Sequence, residues 1–314
     1  MRKSFKYSML AAGLAAGFAF VTGVQAQQIK LMTGPQGGSW YPLGGAISNL
    51  VEADGIKMQV LPGAGIANVK AVQLGKADMG FGNSVSTVDG VAGREPYESK
   101  TDNVCNVATL YPQYFQIVAN ADSGINSFAD TKGKSIAIQP KGNTAELITV
   151  QLLEVYGMTY KDMGRVSHVS YTDAVSLMKD NNAQLFTLGT TVPASSIMDL
   201  ASARDIKLIA VPDDKFAAIH ELNPGYTKLD IPAGSYPGQD EAVQAIAYAT
   251  HLIARCDLDE NVVYSTVKGI AENKDDLVAI AKAMSPTTLE MMAEDIGVPT
   301  HKGAAKYYKE KGIM

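Results

Sequence analysis

Ile29-Lys-Leu-Met-Thr-Gly-Pro-Gln-Gly-Gly-Ser-Trp-Tyr-Pro-Leu-Gly-Gly-Ala-Ile47 sets the architecture. Ile29 to Thr33 reads as a short strand. Gly34 to Gly38 is a glycine-rich turn. Pro42 to Ala53 then has helical spacing, with Leu43, Ile47, Leu50 and Val51 on one face. Working outward, the same unit recurs. Strands are expected at 58–61 and 78–82, with a helix over 68–74 between them. After Asp122-Ser-Gly124, a turn signal, a second series begins: strands at 134–139, 166–170, 184–188 and 206–211, with helices over 143–156, 173–179 and 195–203. Alternating short apolar strands and helices make an α/β protein. Asn143 with Glu146 has the spacing of a capping box.

Ala245 to Ala254 reads as one more strand. Its end, Leu252-Ile-Ala-Arg-Cys-Asp257, echoes Ile117-Val-Ala-Asn-Ala-Asp122 at the end of a strand over 115–120. Two similar strands flanking an inserted α/β series imply a discontinuous lobe. Lobe I is expected at 27–120 plus 233–314, and lobe II at 121–232, with a helical tail from Asp259 packing on lobe I.

The chain of 314 residues carries 27 Lys and Arg against 32 Asp and Glu, and is 46% apolar. That composition excludes intrinsic disorder, and the acidic balance argues against a nucleic-acid binder. Residues 1–26 have the layout of a cleaved signal peptide: Arg2, Lys3 and Lys6, then a charge-free run from Met9 to Val21, then Val24-Gln25-Ala26. The apolar run falls well short of the roughly 20 residues that span a bilayer. Without the three cations the mature chain would have 24 basic against 32 acidic residues, a balance of −8. Export places it in an oxidising compartment, periplasmic in a two-membrane cell. Cys105 and Cys256 either pair or stay as buried thiols; their spacing alone does not decide.

No enzyme constellation stands out. There is no Cys-x-x-Cys, His-Glu-x-x-His, Gly-x-Ser-x-Gly or phosphate-binding lysine loop. The four histidines lie far apart, so neither a metal site nor a cofactor is expected. Instead, four loops rich in Gly, Ser, Thr and Asn stand at strand-to-helix junctions: Thr33–Pro42, Phe81–Ser84, Gln139–Thr144 and Leu188–Pro193. Open α/β sheets bind ligands at the carboxyl ends of strands. Helix N-termini there offer free N–H groups and partial positive charge to an anion. Turns and caps use the same residue types, so it is the repetition in both lobes that points to a cleft. Lys141 is the one cation in these loops. Trp40 either anchors the core or walls the ligand.

An ordered series of segments resembles the TAXI group of solute receptors that serve TRAP transporters. It comprises Thr33-Gly-x-x-Gly-Gly-Ser-Trp-Tyr-Pro-Leu-Gly44, Val69-Lys-Ala-Val-Gln-Leu-Gly-Lys-Ala-Asp78, Ala108-Thr-Leu-Tyr-Pro112, Phe128-Ala-Asp-Thr-Lys-Gly-Lys134, Leu152-Leu-Glu-x-Tyr-Gly157, Ile231-Pro-Ala-Gly-Ser-Tyr-Pro-Gly-Gln-Asp240 and Gly303-Ala-Ala-Lys-Tyr-Tyr308. The resemblance implies a two-lobe periplasmic-binding-protein fold, type II-like (a Venus flytrap). It also implies a monomeric receptor that closes on a small organic acid, glutamate-like or a dicarboxylate, and hands it to membrane permease subunits driven by an ion gradient. The expected ligand-facing residues are Gly38, Ser39, Trp40, Tyr41, Asn83, Ser84, Lys141, Asn143, Thr144, Thr190, Thr191 and Tyr236. Several loops depart from the family pattern, notably Asn83-Ser84-Val85 for Gln-Ser-Asp and Gly142-Asn143-Thr144-Ala145 for Gly-Ser-Gly-Thr. With Lys141 available for a second carboxylate, a dicarboxylate or oxo-dicarboxylate is favoured over a neutral amino acid. A sensing subunit of a signalling receptor and an exported enzyme on the same fold are the alternatives.

Overall fold

A computed structural model describes residues 28–34 and 39–314. The expected signal segment and Gly38 lie outside the described residues. The first lobe begins β1 (Ile29–Met32), α1 (Trp40–Glu52), β2 (Met58–Leu61), α2 (Gly65–Gln73), β3 (Met79–Asn83) and α3 (Ser84–Ala92). The long strand β4 (Val104–Asn120) then carries the chain across. The inserted series is β5 (Ser135–Ile138), α4 (Thr144–Val155), β6 (Arg165–His168), α5 (Tyr171–Lys179), β7 (Leu185–Thr190), α6 (Ser195–Ala201), β8 (Ile206–Leu208), α7 (Asp213–Leu222) and β9 (Thr227–Ile231). A second long strand, β10 (Val243–Arg255), returns the chain. The tail forms α8 (Glu260–Glu272), α9 (Lys274–Ile280), α10 (Leu289–Met292) and α11 (Lys302–Glu310).

The strands run in the order β2-β1-β3-β10-β4-β7-β5-β6, with β8 on β4 and β9 on β10. The two flanks, β2-β1-β3 and β7-β5-β6, are parallel, as strand–helix–strand repeats require. The two long central strands are antiparallel to each other; β10 pairs with β3 of one flank and β4 with β7 of the other. Residues 250–254 of β10 pair with β3, while its residues 243–247 pair with β9. Residues 114–119 of β4 pair with β7. The register of β10 on β4 shifts between Thr250 and His251, where pairing with β3 begins, and again between Leu252 and Ile253. Residue 121 follows β4 directly, whereas residue 233 follows β9 and precedes the start of β10 at Val243.

Each flank has its own core. Leu31, Leu43, Ile47, Phe81 and Val107 pack with Val263, Tyr307 and Tyr308, so the tail helices complete the first lobe. Phe115, Ile117, Phe128, Ile138, Ile148 and Leu185 fill the second. Cys105 and Cys256 are bonded, their Cα atoms 5.1 Å apart, tying the start of β4 to the turn after β10. The question left open by the sequence thus closes in favour of the pair.

Three elements exceed the sequence expectation. Strand β4 begins at Val104 rather than at residue 115. Nearly all of it is buried on both faces, so it lacks the alternation that marks a half-exposed strand. Helix α3 is buried from Ser84 to Gly90 and shows no polar stripe. Helix α7 presents one fully buried residue, Ile219, and has little apolar periodicity to read. At α4, Asn143 caps as expected, accepting from the Ala145 N–H at 2.9 Å. Glu146 does not complete the box; it accepts from the Tyr160 hydroxyl at 3.1 Å instead.

Candidate functional site

The carboxyl ends of the parallel strands of both flanks face each other, and the helices that follow begin there. Asn68 fixes the first-lobe side. Fully buried, it donates from Nδ2 to the carbonyls of Thr33 (2.7 Å) and Phe81 (2.8 Å), and its Oδ1 accepts from the Ala64 N–H. One side chain therefore binds the ends of β1 and β3 to the start of α2. A side chain at Gly63 would strike Asn68, so this position requires glycine.

The N-termini of α2, α3 and α4 converge. Asn83 occupies the N-cap position of α3 but does not cap it. Its Nδ2 reaches across the cleft and donates to Thr144 Oγ1 at 3.0 Å, at the first residue of α4. Ser86 Oγ, from the first turn of α3, lies 2.9 Å from the same oxygen. A Cβ at Gly65, the first residue of α2, would lie 3.0 Å from Asn83 Nδ2 and 3.2 Å from Thr144 Oγ1. Neither α2 nor α3 receives a side-chain cap. Their leading N–H groups therefore remain available to an anion. Asn83, Ser86 and Thr144 are buried, and Asn83 Oδ1 has no hydrogen-bond partner. An orphaned buried acceptor costs about 1–3 kcal/mol, so the site lacks one donor for completion.

Lobe I grips lobe II at a second point. Ser84 Oγ donates to the Gly225 carbonyl at 3.1 Å and accepts from the Ala249 N–H of β10 at 3.0 Å. Asn223 Nδ2 donates to the Val85 carbonyl at 2.8 Å. Behind α3, His251 is wholly buried. Its Nδ1 lies 2.9 Å from Asn106 Oδ1 and its Nε2 2.7 Å from Thr87 Oγ1. Donation from Nδ1–H to Asn106 leaves Nε2 to accept from the Thr87 hydroxyl. Burial pushes the imidazole pKa down to about 3, so the ring is neutral.

The remaining expected residues are distributed unevenly. Asn143 is half-buried as the cap of α4, and Lys141 stands exposed in the preceding turn. Thr190 and Thr191 are half-buried at the end of β7; the Thr191 carbonyl accepts from Gln116 Nε2 at 3.3 Å. Trp40 lies in the first-lobe core and stacks on Phe81, with ring centroids 5.5 Å apart. Ser39, exposed, lies 3.5 Å from the Tyr111 hydroxyl, and Tyr41 is half-buried. Tyr236 is buried, its hydroxyl donating to Gln116 Oε1 at 2.6 Å and accepting from the Ala194 N–H at 2.8 Å. Both of its hydrogen-bonding roles are thus occupied within the protein. Sequence reasoning missed Gly65, Asn68, Ser86 and the Thr87–His251–Asn106 chain, all of which depend on contacts between distant segments. Among the described residues no group of three or more His, Cys, Asp or Glu side chains is placed to hold a metal ion.

Comparison with known proteins bears on both family and fold. A model of the NMT1-like family matches residues 31–312. The protein XAC2383 from Xanthomonas citri, solved bound to ATP, superposes with a TM-score of 0.56 at 10% identity, covering 90% of this chain and 94% of that one. A candidate L-cystine ABC transporter protein from Listeria monocytogenes superposes with a TM-score of 0.50 at 14% identity, covering 82% and 95%. The periplasmic aliphatic sulphonate binding protein SsuA from Escherichia coli aligns at 13% identity over 90% and 82%, with a TM-score of 0.45. At such identities the likeness is one of fold alone, a two-lobed α/β architecture.

Proposed function

We propose that this chain, which belongs to the NMT1-like family, is an extracytoplasmic receptor that captures a small organic acid between its lobes and delivers it to a membrane permease. The observation that carries the reading is the meeting of Asn83 and Ser86 with Thr144 at opposed helix N-termini, beside an unpartnered Asn83 Oδ1. Uncapped N–H groups and short hydroxyl and amide side chains, with no carboxylate among them, suit an anionic group. The lobes comprise 27–120 with 233–314, and 121–232, hinged at β4 and β10. A carboxylate docks on one lobe, closure brings the donors of the other, and water leaves. A solute that leaves a buried partner unpaired forfeits about 1–3 kcal/mol per group, which gives selectivity. The ligand contacts come from Asn83, Ser84, Asn143, Thr144, Thr190 and Thr191, with Ser39 and Tyr41 shaping the rim.

The resemblance to TAXI receptors supports an ion-gradient-driven TRAP permease as partner and a periplasmic location after removal of residues 1–26. It supports a dicarboxylate or glutamate-like ligand, bound without catalysis. Calorimetry against a panel of organic acids tests this reading. Micromolar binding of at least one carboxylate, roughly −8 kcal/mol, is expected. Tight binding of a neutral sugar or a metal ion with no response to any carboxylate would overturn it.

A further inference from the structure

We propose that Gln113, on the long strand β4, is a specificity-determining residue of the cleft: its side-chain amide contacts the ligand beside the carboxylate and selects acids that carry a hydroxyl. The inference rests on the receptor reading above and deepens it. Strand pairing puts Gln113 on the same face as Asn83. Residues directly opposite each other in neighbouring strands present their side chains to one face of the sheet, as do residues two apart along a strand. Asn83, at the end of β3, stands opposite Thr250 of β10, and Thr250 stands opposite Tyr111 of β4. Two residues on, Tyr248 stands opposite Gln113. Both lobes reach this polar arc. The Tyr111 hydroxyl lies 3.5 Å from Ser39 Oγ, at the start of α1. At the other end, a Cβ on Gly189 would meet the Tyr248 hydroxyl and would lie 3.3 Å from Ala145 Cβ, in the first turn of α4. The arc therefore runs along the two long strands from the start of α1 to the start of α4, beside Asn83.

Of these four residues Gln113 is the one open to a solute. Tyr111, Tyr248 and Thr250 are buried, whereas Gln113 is half-buried. Its amide is also held in one orientation. Nε2 donates to Thr250 Oγ1 at 2.7 Å, and Oε1 accepts from the Tyr248 hydroxyl at 3.5 Å. Each contact uses half the capacity of its end of the amide, so one Nε2–H and one Oε1 lone pair remain. A free donor and a free acceptor on a fixed amide pair best with a group that both accepts and donates, which is a hydroxyl. A methylene in that place leaves both ends unpaired, the situation in which a polar site rejects an analogue most strongly. The arc itself carries no charge, since burial raises the phenol pKa values of Tyr111 and Tyr248 and keeps both rings neutral. The carboxylate therefore stays with the helix N-termini, and Gln113 reads the neutral substituent next to it.

Calorimetry on the mature chain with lactate and propionate, malate and succinate, and 2-hydroxyglutarate and glutarate tests the proposal. In at least one pair the hydroxy acid should bind wild-type protein ~10-fold or more tightly than its parent, the scale of one added hydrogen bond. Gln113→Met keeps the length of the side chain and removes the amide. It should bring that ratio to within ~3-fold by weakening the hydroxy acid alone. Gln244→Met removes another half-buried amide of β10, one that donates to the Val211 carbonyl at 2.7 Å, and should leave the ratio unchanged. In wild-type protein the NMR signals of the Gln113 side-chain NH2 should shift with the hydroxy acid and not with its parent, a measurement that does not depend on how the variants fold. An undiminished ratio in Gln113→Met, an equal fall in Gln244→Met, or Gln113 signals indifferent to the hydroxy acid overturns the inference. A wild-type protein that binds both members of every pair equally overturns it while sparing the receptor reading. One that binds none of these acids, nor any other carboxylate, overturns both.

Discussion

Asn83 is the residue on which the account turns. An asparagine at the N-cap ordinarily bonds its own helix. Here it bonds Thr144 instead, leaving α3 uncapped and Oδ1 unpaired. Asn83→Ala should weaken ligand binding ~10- to 100-fold with little loss of stability, because Thr144 keeps Ser86 as a partner. Titration calorimetry with urea unfolding separates the two effects; unchanged binding would remove Asn83 from the site. Gly189 is a sharper structural demand, since a Cβ there would collide with the Tyr248 hydroxyl. Gly189→Ala should cost about 1–3 kcal/mol of stability through overpacking, read from the urea midpoint. The sequence already marks Asn83 and Thr144 as polar residues at strand-to-helix junctions. It does not mark Ser86 or Gly65, whose importance comes from α4 lying opposite them.

At the scale of elements, α3 links the cleft to the interior. Its first turn meets α4, and its Thr87 touches His251. The His251 pKa of about 3 lies below the unfolded value near 6.5. This group's stability contribution is therefore complete above pH 6.5 and is lost as pH falls toward 3, about 2 kcal/mol by pH 5. His251→Gln should flatten that part of the acid limb, and an NMR titration should find the His251 ring neutral at pH 5. A ring titrating near 6.5 would contradict the buried Asn106–His251–Thr87 chain. Elements with a strong period, such as α1, are legible from sequence because one face is buried and the other wet. Helix α3 and the first half of β4 are not, because tertiary burial encloses them on all sides and erases the contrast.

Across the whole molecule, two antiparallel strands join two α/β lobes, and the disulfide closes one end of that joint. The Cys105–Cys256 bond spans 151 residues of sequence and ties β4 to β10 on the first-lobe side. The double variant Cys105→Ser, Cys256→Ser should lose about 2–4 kcal/mol of stability and yet bind ligand within ~3-fold of wild type, since the bond lies outside the cleft. Loss of binding in a folded double variant would mean that the joint itself sets the closed geometry. The ends of β4 and β10 are legible in the repeated segments 117–122 and 252–257. The closure contacts Ser84–Gly225 and Asn223–Val85 are not, because their partners stand roughly 140 residues apart.

A crystal structure of the mature protein with a bound carboxylate tests the central claim most directly. The account predicts the carboxylate among the N-termini of α2, α3 and α4, with a ligand or water donor on Asn83 Oδ1. A ligand seated elsewhere, with Asn83 Oδ1 still unpaired beside Thr144, would contradict it.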